Sequence, residues 1–226
     1  YILKRPGLLG IQMIFFLGNI FSGIALSYTA FYTMVALRTD GNIALADSLQ
    51  SAGAWAAVVA GLAISVVGGI TRPIRTILLA WILSSLFGLT LLGIGQIFII
   101  WAVAKVIDSF FNPVVDVAMN KFIQSKVHPD IQGRIFAASD FIAQVPFLFT
   151  PLLAGYFGDK VFEPAMRAGG TLANTFGWLV GIGHGSGYGL MIFLCGIGGA
   201  LVGLWGYLVP SIRDAEKIMP DIVLPP

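Results

Sequence analysis

Lys105, Asp108, Asn112 and Asp116 stand together in one otherwise apolar stretch. They are the residues whose types and spacing are best suited to chemistry. On a helix their directions fall within an arc of roughly 80°, so they share a face. Lys105 and Asp108 are three residues apart, a spacing at which opposite charges pair. An ionisable group in apolar surroundings is costly, so this stripe belongs in a bundle interior or on a water-filled cavity. Two roles fit it. One is a polar path on which Asp108 or Asp116 takes up and releases a proton. The other is a static ion pair that fixes helix packing. Gln12 and Asn19 are seven residues apart and share a face of their own stretch, and Gln144 follows Asp140 by one turn. Asp116 and Asp140 lie toward the ends of their stretches. Snorkelling to the interface, or meeting Lys121 or Arg134, also fits both, and for Asp140 it is the expected reading.

Six apolar stretches carry these groups, at residues 8–37, 52–70, 76–94, 97–119, 136–157 and 188–209. Each is close to or above the roughly 20 helical residues that cross a hydrocarbon core. Only helices and closed barrels satisfy the backbone there, and barrel strands are shorter and strictly alternating. The expected class is therefore an all-α polytopic membrane protein. Composition agrees: charged residues are 11% of the chain, against about 25% in a soluble domain. A net charge of +2 gives no footing for nucleic acid as a partner.

The polar connections differ in charge. With six spans the termini share a side, which holds Lys4, Arg5, Arg72, Arg75, Lys121, Lys126, Arg134, Arg213 and Lys217. The other side holds only Arg38, Lys160 and Arg167. The positive-inside rule then puts both termini in the cytoplasm. Residues 1–209 form the transmembrane unit, and residues 210–226 read as a short cytoplasmic tail. The 120–134 connection reads as a cytoplasmic loop, with room for a short surface helix. The glycine-rich 159–187 connection reads as an outer loop. Small residues at Gly61, Ser65 and Gly69, and at Gly196, Gly199 and Gly203, are expected to be packing faces.

Enzyme chemistry finds little footing. His184 and Ser186 sit in a glycine-rich loop without a nucleophile elbow. One cysteine, Cys195, and two histidines, His128 and His184, make no metal-ligand cluster. No phosphate-binding G-x-x-x-x-G-K-[ST] loop occurs, and no cofactor is implied.

Longer runs carry a family signal. The chain reads Asn112-Pro113, then Gln124-Ser125-Lys126-Val127-His128-Pro129-Asp130-Ile131-Gln132-Gly133-Arg134-Ile135-Phe136-Ala137. Further on come Gln144-Val145-Pro146, Pro151-Leu152-Leu153-Ala154-Gly155 and Asp159-Lys160-Val161-Phe162-Glu163-Pro164-Ala165-Met166. With Gly68-Gly69 and its basic loop, these resemble major facilitator superfamily exporters of the macrolide-efflux and enterobactin-exporter-like branch. The resemblance covers essentially the whole chain. It implies helices seven to twelve of a twelve-helix transporter in a bacterial cytoplasmic membrane. The partners implied are a small-molecule substrate, the lipid bilayer and a missing N-terminal six-helix half. In that superfamily two halves rock about a central site. The implied activity is secondary active efflux by proton antiport. Gln12, Asn19, Lys105, Asp108, Asn112, Asp116 and Gln144 are then expected to line the cavity. Gly69, Arg72, Arg75, Gln132, Gly133 and Arg134 are expected to serve as cytoplasmic gating loops. Asp116 and Asp140 depart from the family pattern, where a neutral polar and a basic or polar residue are expected. The alternative is a six-helix structural or interaction protein that no longer transports.

The charge asymmetry is testable with an impermeant thiol reagent. In intact cells, a cysteine introduced in the 159–187 connection should label and one introduced in the 120–134 connection should not. The reverse pattern would invert the topology.

Overall fold

The structure, a computed structural model, describes residues 2, 5–67 and 69–222. Lys4, Gly68 and the Pro225-Pro226 end lie outside the described residues. Among these residues regular structure is helical throughout, and six helices are long and apolar enough to cross a membrane.

The first span, Pro6–Arg38, is not one helix. Helix α1 (Pro6–Leu26) opens on a proline, which has no N–H to leave unpaired in the first turn. It stops at Ser27, whose backbone is extended at ψ 148°. The Ser27 hydroxyl accepts a hydrogen bond from the Ala30 N–H at 3.0 Å and so caps the next helix, α2 (residues 28–38). Asp40 and Gly41, both at positive φ, turn the chain into α3 (Ile43–Val67). Helix α4 (Pro73–Ile94) contains a π-helical stretch at Ser84–Leu89. A tight turn at Gly95 leads to α5 (Phe98–Lys126), which contains Pro113. Helix α6 (Pro129–Met166) carries Pro146 and Pro151 and a π-helical turn at Gly158–Phe162. The short α7 (Ala173–Val180) precedes α8 (Ser186–Leu208), and the last helices among the described residues are α9 (Pro210–Arg213) and α10 (Ala215–Ile218).

Helices α5 and α6 run past the apolar stretches and are parted only by Val127 and His128, so the expected 120–134 loop is helical. Polar residues such as Asn120, Lys121 and Gln124 continue a helix readily, and only Pro129 forces a new start. The outer connection is likewise mostly helical, through Met166 and α7.

In packing order the helices run α3, α5, α4, α8, α1, α6, with α5 and α6 barely touching across a cleft. The tightest seam joins α4 to α8. A Cβ added at Gly196 would lie 2.6 Å from the Thr90 nitrogen, and one at Gly199 2.6 Å from the Ser85 hydroxyl. At Gly93 an added Cβ would meet the Phe193 backbone and, at 2.5 Å, the Gly189 carbonyl. The expected packing role thus holds in α8. It does not hold along α3 and the residues after it, where a Cβ at Gly61 of the helix or at Gly69 beyond its end meets nothing within 4 Å and Ser65 is exposed. Val58, Leu62 and Val66 on the same helix are exposed as well.

The tail is docked. Ile212 and Ala215 are buried in the core formed with Leu8, Ile74 and Phe122. Lys126 donates from Nζ to the carbonyls of Glu216 and Met219, both at 2.6 Å, and pairs with Asp221 at 2.7 Å. The Glu216 carboxylate accepts from the Ile74 N–H in the first turn of α4, a helix end whose own N-cap, Arg72, makes no side-chain bond. Asp214 bridges Arg75 and Arg213 at 3.4 and 2.8 Å. Hydrogen bonding from Arg213 holds the Asp214 carboxyl below its usual range. Its stabilising charge is therefore present at neutral pH and lost only as pH falls through that lowered value.

Gly93→Ala should push α4 from α8 and lower detergent stability by about 1–3 kcal/mol. Gly61→Ala should be neutral or stabilising by up to about 1 kcal/mol. Thermal unfolding in one detergent compares them, and equal losses would show that the seam is not tight.

Candidate functional site

Between α5 and α6 the bundle holds a cavity of ≈ 730 Å³, closed on its other flank by α1 and α4. From α5 it takes Asp108, Phe111, Asn112, Val115, Asp116, Met119 and Asn120. The spacing is that of one helical face, so the stripe legible in the sequence reaches the cavity from Asp108 onward. Lys105 is outside the lining, although its direction fits the stripe. It sits one turn deeper, 7% exposed, with Nζ 3.6 Å from Asp108 Oδ2 and 5.9 Å from the centre of the Phe31 ring. Gly53 of α3 lies against its aliphatic stem.

Asp108 is 4% exposed and tethered to α4. The Ser84 hydroxyl donates to its Oδ1 at 2.9 Å, and its Oδ2 has no hydrogen-bond partner besides the ion-pair approach of Lys105. The π-helical stretch in α4 lets this meeting happen. It carries Ser84, Ser85 and Leu89 into the lining and sets Gly88 where a Cβ would be 2.8 Å from Asp108. Such insertions recur at functional sites because they redirect side chains without ending the helix.

Gln12 and Asn19 line the opposite wall from α1. Their amides are engaged with α6: Gln12 Nε2 donates to Ser139 Oγ at 2.6 Å, and Asn19 Nδ2 to the Ala143 carbonyl at 2.9 Å. Ser22 joins them. Helix α6 contributes Ser139, Asp140, Gln144 and Phe147. Asp140 is thus an exposed residue on the cavity, and among the described residues it makes no ion pair with Arg134. The helix continues past Asp140 in both directions, and Asp140 lines the same cavity as Asp116 of α5, within electrostatic reach of it. An aromatic group completes the lining: Phe15 and Trp81, in edge contact at 5.3 Å, with Phe111 and Phe147. The serines and aromatics carried no signal in the sequence, since both are frequent in apolar helices.

The expected gating residues lie at the end of the bundle that bears the termini. Gly69 has φ +94°, which only glycine adopts without strain. Arg72, Gly133 and Arg134 are exposed. Arg75 pairs with Asp214, and with Arg72, Arg213 and Lys217 it rims a small pocket of ≈ 110 Å³. Gln132 donates to the carbonyls of Gln124 and Val127 at 3.2 and 2.8 Å and so braces the α5–α6 turn. A second network, unforeseen from sequence, closes the far end. Arg38 donates to the carbonyls of Gly95 and Val180, and Glu163 accepts from the N–H groups of Gly185 and Gly187 at 2.7 and 3.1 Å. Tyr188 donates to Asp159 at 2.6 Å. The cavity therefore lies toward the terminal end, and the far end is packed.

Comparison with protein-family models, curated proteins and solved structures gives no match. The structure defines an all-helical chain with six helices apolar enough to cross a membrane and a polar, partly aromatic cavity among them.

Removing one partner of a buried ion pair strands the other. Lys105→Met should destabilise by about 3–5 kcal/mol, and adding Asp108→Asn should recover most of that loss. Thermal unfolding of the single and double variants decides it. A double variant as unstable as the single would mean that Lys105 acts through packing alone.

Proposed function

We propose that this chain is the C-terminal six-helix half of a major facilitator superfamily exporter that moves a small molecule out of a bacterial cell by proton antiport. The observation that carries the reading is the cavity. It is large enough for a small organic molecule, and it holds carboxylates among helices whose outward faces are apolar. Ionisable residues so placed mark substrate and ion paths. In this reading both termini of the chain are cytoplasmic, and the cavity faces the cytoplasm with its far end closed. An N-terminal half of six helices covers the open α5–α6 side. The two halves rock about the enclosed site.

The parts divide the work by position. Lys105 and Ser84 hold Asp108 in place, which makes it a fixed, compensated charge. Asp116 has no such partner, opens to the cavity and is the stronger candidate for carrying the coupled proton. Gln12 and Asn19 bind α1 to α6 and keep that wall rigid as the halves move. Gln132 and the Arg75–Asp214 pair steady the cytoplasmic ends.

Export by the full-length transporter in everted vesicles tests this. Asp116→Asn should lower proton-driven export at least about tenfold at equal membrane abundance, with the pH dependence flattened. Should both Asp116→Asn and Asp108→Asn export with unchanged pH dependence, the coupling assignment is wrong.

A further inference from the structure

We infer that the cavity takes an amphipathic organic cation, its charge set between Asp116 and Asp140 and its apolar body against Phe15, Trp81, Phe111 and Phe147. The inference rests on reading the cavity as a substrate path. Three carboxylates line it, from Asp108, Asp116 and Asp140, and the lining has no lysine or arginine. Lys105 lies below the floor and offsets Asp108, which leaves Asp116 and Asp140 as the uncompensated charges. Both line the one cavity, Asp116 from α5 and Asp140 from α6, near enough to repel each other. Two like charges on one apolar-walled cavity repel each other, and a positive guest between them relieves that repulsion.

Two further observations set the kind of cation. Among the described residues no three histidine, cysteine or acidic side chains converge as metal ligands, which speaks against a compact metal ion. The aromatic rings offer faces and edges to a delocalised or alkylated cation, which carries apolar surface and loses less hydration than a metal ion on entry. Asp108 Oδ2 is buried on the same wall, approached by Lys105 at 3.6 Å but accepting no hydrogen bond. A ligand N–H donor reaching that depth would satisfy it.

The probes are labelled tetraphenylphosphonium and its size-matched anion tetraphenylborate, bound to the purified full-length protein in neutral-lipid nanodiscs. The cation should bind at least about tenfold more tightly than the anion. Asp116→Asn/Asp140→Asn should abolish that preference, while Asp140→Glu, which keeps the charge, should retain it. Monodisperse elution of each variant guards against misfolding. Equal binding of cation and anion by the wild type, or an unchanged preference in the double variant, overturns the inference. Gradient-driven export is scored separately. Export of a neutral or anionic compound without phosphonium binding sinks the cation site and keeps the exporter. Charge-dependent phosphonium binding without any export keeps the site and sinks the exporter.

Discussion

Hydrocarbon tolerates neither an unpaired backbone polar group nor an uncompensated charge, and the rest of this structure follows from that constraint. It makes the six long stretches helical. It turns Lys105 and Asp108 toward each other, and it places Asn112, Asp116 and Asp140 on a cavity while Leu148, Leu152 and Val58 face outward. The Lys105–Asp108 pair has its own cost, since two charges leave water for one 3.6 Å approach. Ser84 offsets part of it, and the π-helical stretch in α4 is what brings Ser84 there.

The irregular backbone is concentrated around the same space. Leu26, the last residue of α1, lines the cavity just before the Ser27 break, and the π-helical stretch of α4 faces it. Pro113 of α5 and Pro146 of α6 follow lining residues Asn112 and Gln144 closely. Each interruption frees backbone groups that need water or a side chain, and a polar cavity supplies both. The same π-helical stretch of α4 also enters the close seam with α8, where Ser85 meets Gly196 and Gly199. The α4–α8 seam is closely approached over several turns, by glycines at Gly93, Gly196, Gly199 and Gly203.

The two ends of the bundle are built differently. At the terminal end the fastening is charged and partly exposed: Arg75 with Asp214, Lys126 with Asp221, Glu216 on the N-terminus of α4. At the far end Arg38 and Glu163 are spent on backbone carbonyl and N–H groups, beneath a short helix and a glycine-rich turn. Both ends also use backbone: Lys126 reaches the carbonyls of Glu216 and Met219 at the terminal end, and the far end adds the Tyr188–Asp159 pair. The cavity lies toward the terminal end.

Much was settled by composition and period alone. Uninterrupted apolar length dictates helices, and a 3.6-residue period dictates that Asp108, Asn112 and Asp116 share a face, so the stripe was legible before any contact was known. Period says nothing of depth or of a neighbour's position. Lys105 has the right direction and yet sits below the cavity, because α3 and Phe31 enclose it. Asp140 stands near the end of its apolar stretch, and only the fold shows that it shares a cavity with Asp116. Gly61 and Gly199 look alike in sequence, and only the second meets another helix. The tail is polar, and only its burial of Ile212 and its bonds to Lys126 reveal it as part of the bundle. Sequence determined what each helix must hide; tertiary structure decided against which neighbour, because hiding is a property of one helix face and contact is a property of two.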